Sequence, residues 1–422
     1  MTEKRGGTGV KTFQALLRVV SALQAEKDLD RLLNLILSSI TPVLGAERST
    51  LFLYDPQRHE LYDKIAQKSE VKEIRIPVGK GIAGTVAETL KAVNIPDAYA
   101  DPRFDGATDR KTGWRTRSIL AVPLLTHEGR LVGVIEVLNK KRGSFDETDQ
   151  KVLEAFSTNA AIALDNAFLV QQYVEKKRIE QQIEIARTIQ LGLLPKEFPA
   201  GDGLDFAAHL EPCENTSGDY YDVFEAAHGR LIFVIADVTS HGIGPALIMS
   251  ETRAFIRALA ETLESPDRIL TKVNHILAGD LTGGHFVTCF VGLFDPASGE
   301  LSYANAGHDN VFIRRAQDGS VILLEATGMP LGILDDCDYP AGSPVCLKAG
   351  DILIMSTDGF VEAFDPSGQQ MFGFARLSKV VDENASQKAG DVIRTIVQAV
   401  KNHSGQNRPA DDQTILILKY TA

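Results

Sequence analysis

The sequence predicts an α+β protein with three parts: an N-terminal α/β sandwich, a long linker helix and a C-terminal α/β/β/α sandwich. Three observations carry that expectation. Residues 11 to about 165 run helix, antiparallel strands, long polar loop, strands, helix, the order of a sandwich with its loops gathered on one side. The stretch FLVQQYVEKKRIEQQIEIARTIQLGLLP, from Phe168 to Pro195, has no glycine or proline before Gly192 and is dense in good helix formers, so it reads as one long helix. Beyond Pro195 alternating strands dominate and helices intrude without βαβ alternation, which predicts two sheets with helices packed outside.

At 422 residues and 44% apolar composition the chain exceeds one core. A formal net charge of -12 with no basic stripe argues against a nucleic-acid-binding body. Cys213, Cys289, Cys337 and Cys346 form no CxxC pair, which reads as reduced thiols in a cytoplasmic protein. No apolar run of signal-peptide character follows MTEKRGGTGVK, and LLNLILSSI from Leu32 is too short and amphipathic to span a bilayer, so no membrane segment is expected. The expected divisions are a tail over 1–19, a first domain over 20–165, a linker over 166–196 and a second domain over 197–422.

In the first part, Phe13, Leu16, Leu17, Val20 and Leu23 recur at helical spacing, as do Leu29, Leu32, Leu33, Ile36, Leu37 and Ile40 before Pro42. The period then changes to two: STLFLYD and HELYDKIA read as a hairpin. Gly79, Gly81 and Gly84 form a turn into a short helix, without the spacing of a nucleotide-binding loop. The long loop from Ile95 to Arg117 is the expected lid over a ligand, because binding residues gather on loops carried by a rigid sheet. Phe104 and Trp114 could stack on a purine, and Thr112 or Thr116 could hold a phosphate; ordinary lid packing is the alternative for each. Lys140 and Asp149 read as an ion pair tying a strand end to a helix start. On VGKGIAG, NIPDAYADPRF, TGWRTRSILAVPL and LVGVIEVLNK, residues 20–165 closely resemble the GAF domain family. Asn139, Lys140, Phe145 and Asp149 follow a pattern typical of GAF domains that bind cyclic nucleotides, with Gln150 where that pattern usually has Glu. The resemblance implies a small-molecule ligand, a cyclic nucleotide being the candidate.

In the linker, Ile162, Leu169, Lys176, Ile183 and Gln190 form one row at heptad spacing, with Ile179, Ala186 and Leu193 in the other. The seam is apolar except at Lys176 and Gln190. A second row, Ile185 and Ile189 with Leu194, faces elsewhere, so the helix is expected to meet a partner helix on one side and a domain on the other. A homodimer follows as the expectation, a solvated spacer helix being the bland alternative.

In the last part, LIFVIADV, HFVTCFVGLFD, LSYANAG, VFIRRA, VILLEA, DILIMSTDG and QTILILKY alternate as strands, and helices are expected in IGPALIMSETRAFIRALAETL, DRILTKVNHILAGDL and AGDVIRTIVQAVKNH. Asp219 lies in SGDYYD, Asp237 and Asp358 end apolar strands, and Asp411 with Asp412 precedes one. Any one of them alone reads as a turn residue. Several together cannot all stay ionised at a dry strand edge without a cation, and hard oxygen ligands suit magnesium or manganese.

IEIARTIQLGLLP, SGDYYDVF, IADVTSHGIGPALIMS, FVTCFVGLFDPASGELSYANAGH, GMPLGI, LKAGDILIMSTDGFVEA, FGFARL and ADDQTILIL stand in the order of the SpoIIE-like branch of the metal-dependent 2C-type (PPM) serine/threonine protein phosphatases, which residues 183–419 resemble. That resemblance implies two Mn2+ or Mg2+ ions, with Asp219 on one directly or through water, Asp237 bridging both, the Val238 carbonyl completing the shell, and Asp358 and Asp411 on the other. Asp222, Glu362 and Asp412 would stand behind these or replace one. Water would attack the phosphorus of phosphoserine or phosphothreonine directly; DVTSHG sets His241 by the bridging aspartate, which makes it the general-acid candidate over His308, a structural turn role being the alternative for either. The chain departs from the family's usual residues at Ser240 and Ser217, where glycine is common, and it lacks the arginine clamp of the eukaryotic enzymes. Relatives with this effector act on a phosphorylated anti-sigma-factor antagonist of STAS type, which is the implied partner. A catalytically silent ligand-sensing scaffold and a small phosphoester or nucleotide hydrolase are the rival readings; retention of every acidic position favours the phosphatase.

Overall fold

The computed structural model describes residues 19–63, 74–281 and 284–422. The expected tail, the first turns of its helical pattern at Phe13 to Leu17 and the end of the HELYDKIA strand lie outside those residues. The chain divides into two compact units, 1–178 and 179–422.

The first unit is built on a six-stranded antiparallel sheet in the order β3-β2-β1-β6-β5-β4, where β1 is Ala46–Asp55, β2 Glu60–Asp63, β3 Arg75–Pro77, β4 Val93–Ile95, β5 Ile119–Leu125 and β6 Leu131–Lys140. Each face of that sheet has its own core. Leu51 and Leu53 of β1, with Ile135 and Val137 of β6, pack under helix α1 (Leu29–Val43) and the start of the long helix. Phe52 and Val134 face the other way, toward α2 (Gly81–Thr89) and the lid. The glycine turn is needed for this: a side chain at Gly84 would lie 2.6 Å from the Pro77 carbonyl. The lid holds a short helix, α3 (Ala107–Thr112).

Helix α4 runs from Glu147 to Leu193 without interruption, so helix crosses the expected division at 165/166, and it takes part in both units. Within the second unit Ile183 and Ala186 are half-buried and Gln190 is buried, while Ile185 and Ile189 are 60% and 62% exposed. This corrects the expected facing: the Gln190 row, not the Ile185 row, turns toward the domain. Leu194 alone of its expected row packs inward.

The second unit is a four-layer sandwich. One sheet has the order β14-β11-β10-β9-β8 and the other β13-β12-β15-β16-β7. The first comprises β8 (Tyr220–Glu225), β9 (Leu231–Val238), β10 (Val287–Asp295), β11 (Glu300–Ala306) and β14 (Val345–Cys346). The second comprises β7 (Leu204–Glu211), β12 (Val311–Arg314), β13 (Val321–Leu323), β15 (Ile352–Ser356) and β16 (Gln413–Tyr420). Helices α5 (Ile243–Ala260) and α6 (Pro266–Asp280) cover the first sheet. After the short α7 (Asp358–Val361), α8 (Gly373–Glu383) and α9 (Ala389–Ser404) cover the second. Between the sheets Phe198, Phe206, Phe233, Phe294 and Tyr420 form a continuous run of ring contacts, with centroids 5.5–5.8 Å apart. No described helix is long and apolar enough to cross a membrane.

Candidate active site

Strand register brings the aspartates together at one end of the second unit. Along β9, Leu231, Phe233 and Ile235 point between the sheets while Ile232, Val234 and Ala236 face the helices, so Asp237 ends the inward row. β8 pairs Tyr220 with Ala236. One step further along that antiparallel ladder Asp219 stands opposite Asp237, an arrangement in which like charges repel. From the facing sheet, β16 turns Leu416 and Leu418 inward, which puts Asp412 on the same side, and Asp358 stands just past β15, after Thr357.

Burial makes this an unusual group of acids. Asp219 is 1% exposed; its Oδ2 accepts the Thr357 hydroxyl at 2.9 Å, and its Oδ1 has no hydrogen-bond partner. Desolvation, then the charges of Asp237 and Asp412, hold its carboxyl well above the usual carboxylate range. Burial pushes Asp237 up to about 7, with the Asp358 charge adding. Asp358 is raised to about 6 by burial, Asp411 and Glu362. Among the described residues no set of three or more His, Cys, Asp or Glu side chains stands in an arrangement that could hold a metal ion. The group is an electrostatic cluster whose orphaned Asp219 oxygen and crowded carboxylates fit a divalent cation with oxygen ligands.

The loop before β8 is held from two sides. Asp412, 4% exposed, accepts the Cys213 N–H at 2.7 Å through Oδ1, and the Ser217 hydroxyl at 2.7 Å and the Gly218 N–H at 2.8 Å through Oδ2. Ser217 Oγ in turn accepts the Asp219 N–H at 3.0 Å, so the serine that replaces a common glycine is used as donor and acceptor. From the other side Gln190 Nε2 donates to the Ser217 carbonyl. A side chain at Gly218 would meet the Val238 carbonyl at 2.8 Å, which brings that carbonyl against the Asp219 loop. Exposed Asp411 accepts the Asp412 N–H through Oδ1, and exposed Glu362 caps the short helix begun by Asp358.

Asp222 is not part of the cluster. It lies on the helix-facing side of β8, fully buried, gripped by Arg257 Nε and Nη2 at 2.7 Å each and by the Tyr220 hydroxyl at 2.5 Å. That corrects its expected place as a spare ligand: one residue along a strand reverses the face. His308 is buried in the core with Nδ1 2.8 Å from Thr288 Oγ1, and burial lowers it to about 4. His241 is half-exposed, with Nδ1 3.1 Å from Glu214 Oε1. Ser240 beside it adopts φ 72°, the left-handed region that glycine would occupy without strain.

In the first unit Lys140 Nζ donates to both Asp149 oxygens at 2.5 and 2.6 Å. Thr116 is buried and committed to Asp109, which accepts its N–H at 2.6 Å, its hydroxyl at 2.9 Å and the Tyr99 hydroxyl at 3.1 Å. Phe104 packs edge-on against Tyr99 and onto the lid-side core, and Trp114 is half-buried. The Thr112 side chain lies outside the described residues. Asn139, buried at φ 57°, accepts the Arg117 N–H at 2.6 Å and donates to Glu47 and to the Arg115 carbonyl, pinning the end of the lid. Asp109, Gln190 and Glu214 escape a reading of the sequence; only Gln190 leaves a trace there, as a polar break in an apolar row.

Comparison with known proteins agrees with these two units. Residues 227–421 match the family of Stage II sporulation protein E (SpoIIE), and residues 28–164 match the GAF domain family. The chain is 30% identical over 245 residues to phosphoserine phosphatase RsbU of Bacillus subtilis (strain 168), covering 58% of this chain and 71% of that relative. A cGMP-specific 3',5'-cyclic phosphodiesterase of Drosophila pseudoobscura pseudoobscura is 36% identical over 195 residues, which is 42% of this chain and 17% of that one, a likeness to one segment of a much longer protein. The solved SiaA-PP2C domain of Pseudomonas aeruginosa shares the fold, with a TM-score of 0.51 at 22% identity, covering 58% of this chain and 98% of that one. The chain belongs to the SpoIIE-type, RsbU-like family of protein serine/threonine phosphatases and carries a GAF domain ahead of its phosphatase domain.

Proposed function

We propose that this protein removes phosphate from phosphoserine or phosphothreonine of a partner protein with two Mn2+ or Mg2+ ions, under control of a ligand in its GAF domain. The observation that carries this reading is the facing of Asp219 and Asp237 across adjacent strands, both held above the usual carboxylate range by burial. Asp219, Asp237, the Val238 carbonyl, Asp358 and Asp411 would hold the ions, with Asp412 and Glu362 behind them. Bound ions would supply a water nucleophile at neutral pH and offset the charge of the phosphoryl oxygens. The chain's own part is to fix the acids: Asp412 and Ser217 hold the Asp219 loop, and the packed inter-sheet core keeps bulk water from their inner side. His241 would give a proton to the departing serine oxygen.

The finer assignments rest on support of different kinds. Similarity to a phosphoserine phosphatase supports a phosphoprotein partner, for which an anti-sigma-factor antagonist of STAS type is the candidate. Asn139, Lys140, Phe145 and Asp149, with the likeness to a cGMP-specific phosphodiesterase, support a cyclic nucleotide as GAF ligand. Exposed Leu169, Tyr173, Val174 and Ile179 on α4 support a homodimer through that helix. We assign the sensor to 20–165, the linker to 166–196 and catalysis to 197–422, after a tail over 1–19, in a cytoplasmic protein.

The test is manganese-dependent phosphate release from a phosphoserine protein, wild type beside Asp237→Asn. Wild-type turnover with a loss of at least about a hundredfold in the variant, ~2.7 kcal/mol of barrier, is expected. No turnover with any divalent ion, with or without cyclic nucleotides, would leave a ligand-sensing scaffold. Turnover of nucleotides but not of phosphoprotein would make it a small phosphoester hydrolase.

A further inference from the structure

The structure assigns Thr357 the part of fixing Asp219 as a single-oxygen ligand, and with it a preference for compact octahedral ions such as Mn2+ or Mg2+ over Ca2+. The inference rests on the phosphatase reading above. Thr357 follows β15 of one sheet and Asp219 precedes β8 of the other, each 1% exposed, and the Thr357 hydroxyl lies 2.9 Å from Asp219 Oδ2. An aspartate that binds metal is ionised and can only accept, so the hydroxyl is the donor. The same hydroxyl accepts the Thr414 N–H at 3.0 Å, which leaves it one proton to give. A carboxylate at 2.9 Å outcompetes the Asp412 and Thr414 carbonyls, each at 3.4 Å, for that proton.

The donor is held in place. Thr357 N–H bonds the Thr414 carbonyl at 2.9 Å, Gln413 Nε2 donates to the Gly359 carbonyl at 2.9 Å, and a side chain at Gly359 would collide with the Asp412 carbonyl. Asp219 is held as well, its N–H donating to Ser217 Oγ at 3.0 Å. Oδ1 is then the exception, a buried carboxylate oxygen with no hydrogen-bond partner. Selectivity follows from that count. Calcium takes a larger, looser shell and readily accepts both oxygens of one carboxylate, whereas magnesium demands a compact octahedron, and manganese suits the same oxygen octahedron. With Oδ2 spent on a fixed hydroxyl, Asp219 offers one oxygen, which serves the compact shell and leaves the larger one short. Thr357 touches no reacting atom and is a positioning residue.

Calorimetric titration of the full chain with Mn2+, Mg2+ and Ca2+ separates this role from a structural one. Thr357→Val keeps the shape and removes the hydroxyl, so the ratio of the Ca2+ to the Mn2+ dissociation constant should fall at least about tenfold. Thr357→Ser restores the donor and should hold that ratio within about threefold of wild type. Infrared difference spectra, Mn2+-bound minus metal-free, of chain carrying 13C-aspartate read the wild type itself and stand even if Thr357→Val fails to fold. Asp219→Asn should remove from them a carboxylate band pair with the wide splitting of one-oxygen binding. A ratio unchanged in Thr357→Val, a ratio that falls equally in Thr357→Ser, or a narrow, two-oxygen band pair lost in Asp219→Asn would overturn the assignment while leaving the phosphatase intact. A wild-type chain that binds neither Mn2+ nor Mg2+ would overturn the two-ion phosphatase reading, and this inference with it.

Discussion

Gln190 of helix α4 holds Ser217 by both edges of its amide: Nε2 donates to the Ser217 carbonyl at 2.5 Å, and Oε1 accepts the Ser217 N–H at 3.0 Å. Ser217 stands two residues before Asp219 and donates its hydroxyl to Asp412. The end of the long helix is therefore hydrogen-bonded to the loop that carries an aspartate of the cluster.

Replacing Gln190 by Leu keeps the volume and removes both bonds, leaving the Ser217 N–H and carbonyl unsatisfied in a buried site. The expected cost is about 1–3 kcal/mol of stability. Because the loop positions Asp219, weaker manganese binding and at least about tenfold slower turnover should accompany it. Calorimetric titration of manganese and steady-state kinetics check this, and unchanged metal affinity would separate Gln190 from the site.

Asp412→Asn tests the second anchor. An amide presents only one acceptor oxygen where the carboxylate serves the Cys213 N–H on one side and Ser217 and Gly218 on the other. A loss of about 1.5–3 kcal/mol in denaturant unfolding is expected, with the Asp219 loop losing amide-exchange protection. Stability within ~0.5 kcal/mol of wild type would mean the loop is held elsewhere.

The raised carboxyls make the metal-free phosphatase domain sensitive to alkali. Asp237 at about 7 and Asp358 at about 6 bind protons in the fold that they would not bind unfolded. Their contribution to stability is complete below the unfolded value near ~3.9 and is lost as pH rises through 6 to 7. The metal-free domain should therefore melt lower at pH 8 than at pH 5, and manganese should raise Tm more at pH 8. A manganese shift no larger at pH 8 than at pH 5 would contradict the assignment of ions to these acids.

The GAF domain contains an independent case. Glu136 of β6, paired with Thr50 and Ala121, faces the lid-side core, and burial pushes it up to about 7. Its contribution likewise fades as pH rises from about 4.3, its unfolded value, through 7. Glu136→Gln should flatten that decline and melt higher than wild type at pH 8; calorimetric scans at pH 5 and 8 decide.

Ser240→Gly should stabilise the chain or leave it unchanged, within about 1 kcal/mol, since φ 72° costs a serine and not a glycine. A loss above 1 kcal/mol in chemical unfolding would show that the serine side chain contributes what its backbone costs.

Much of this was legible in the sequence because apolar alternation fixes which strands exist, and the acids stand at their ends. Facing was harder. Asp222 is three residues from Asp219 in a motif that looks uniformly acidic, yet strand parity turns it to Arg257 on the helix side. β7 is legible in LDFAAHLE, where Leu204, Phe206, Ala208 and Leu210 alternate with Asp205, Ala207, His209 and Glu211 and pack on the inter-sheet core, though every position is only half-buried. The inward face of α4 differs from the expected one because Ile185 and Ile189 are the more apolar row, whereas Gln190 is held by paired hydrogen bonds to Ser217 and nothing local to residue 190 records that partner. Glu214 and His241 lie far apart in sequence, and only the fold brings them together.

The run of rings from Phe198 through Phe206, Phe233 and Phe294 to Tyr420 has a mechanical consequence. Interleaved aromatic plates key the two sheets together, so sliding one past the other would break several stacked and edge contacts at once. The sheets thus behave as one keyed frame, and the short loop that Gln190 and Asp412 hold is fastened to that frame by hydrogen bonds rather than by packed rings.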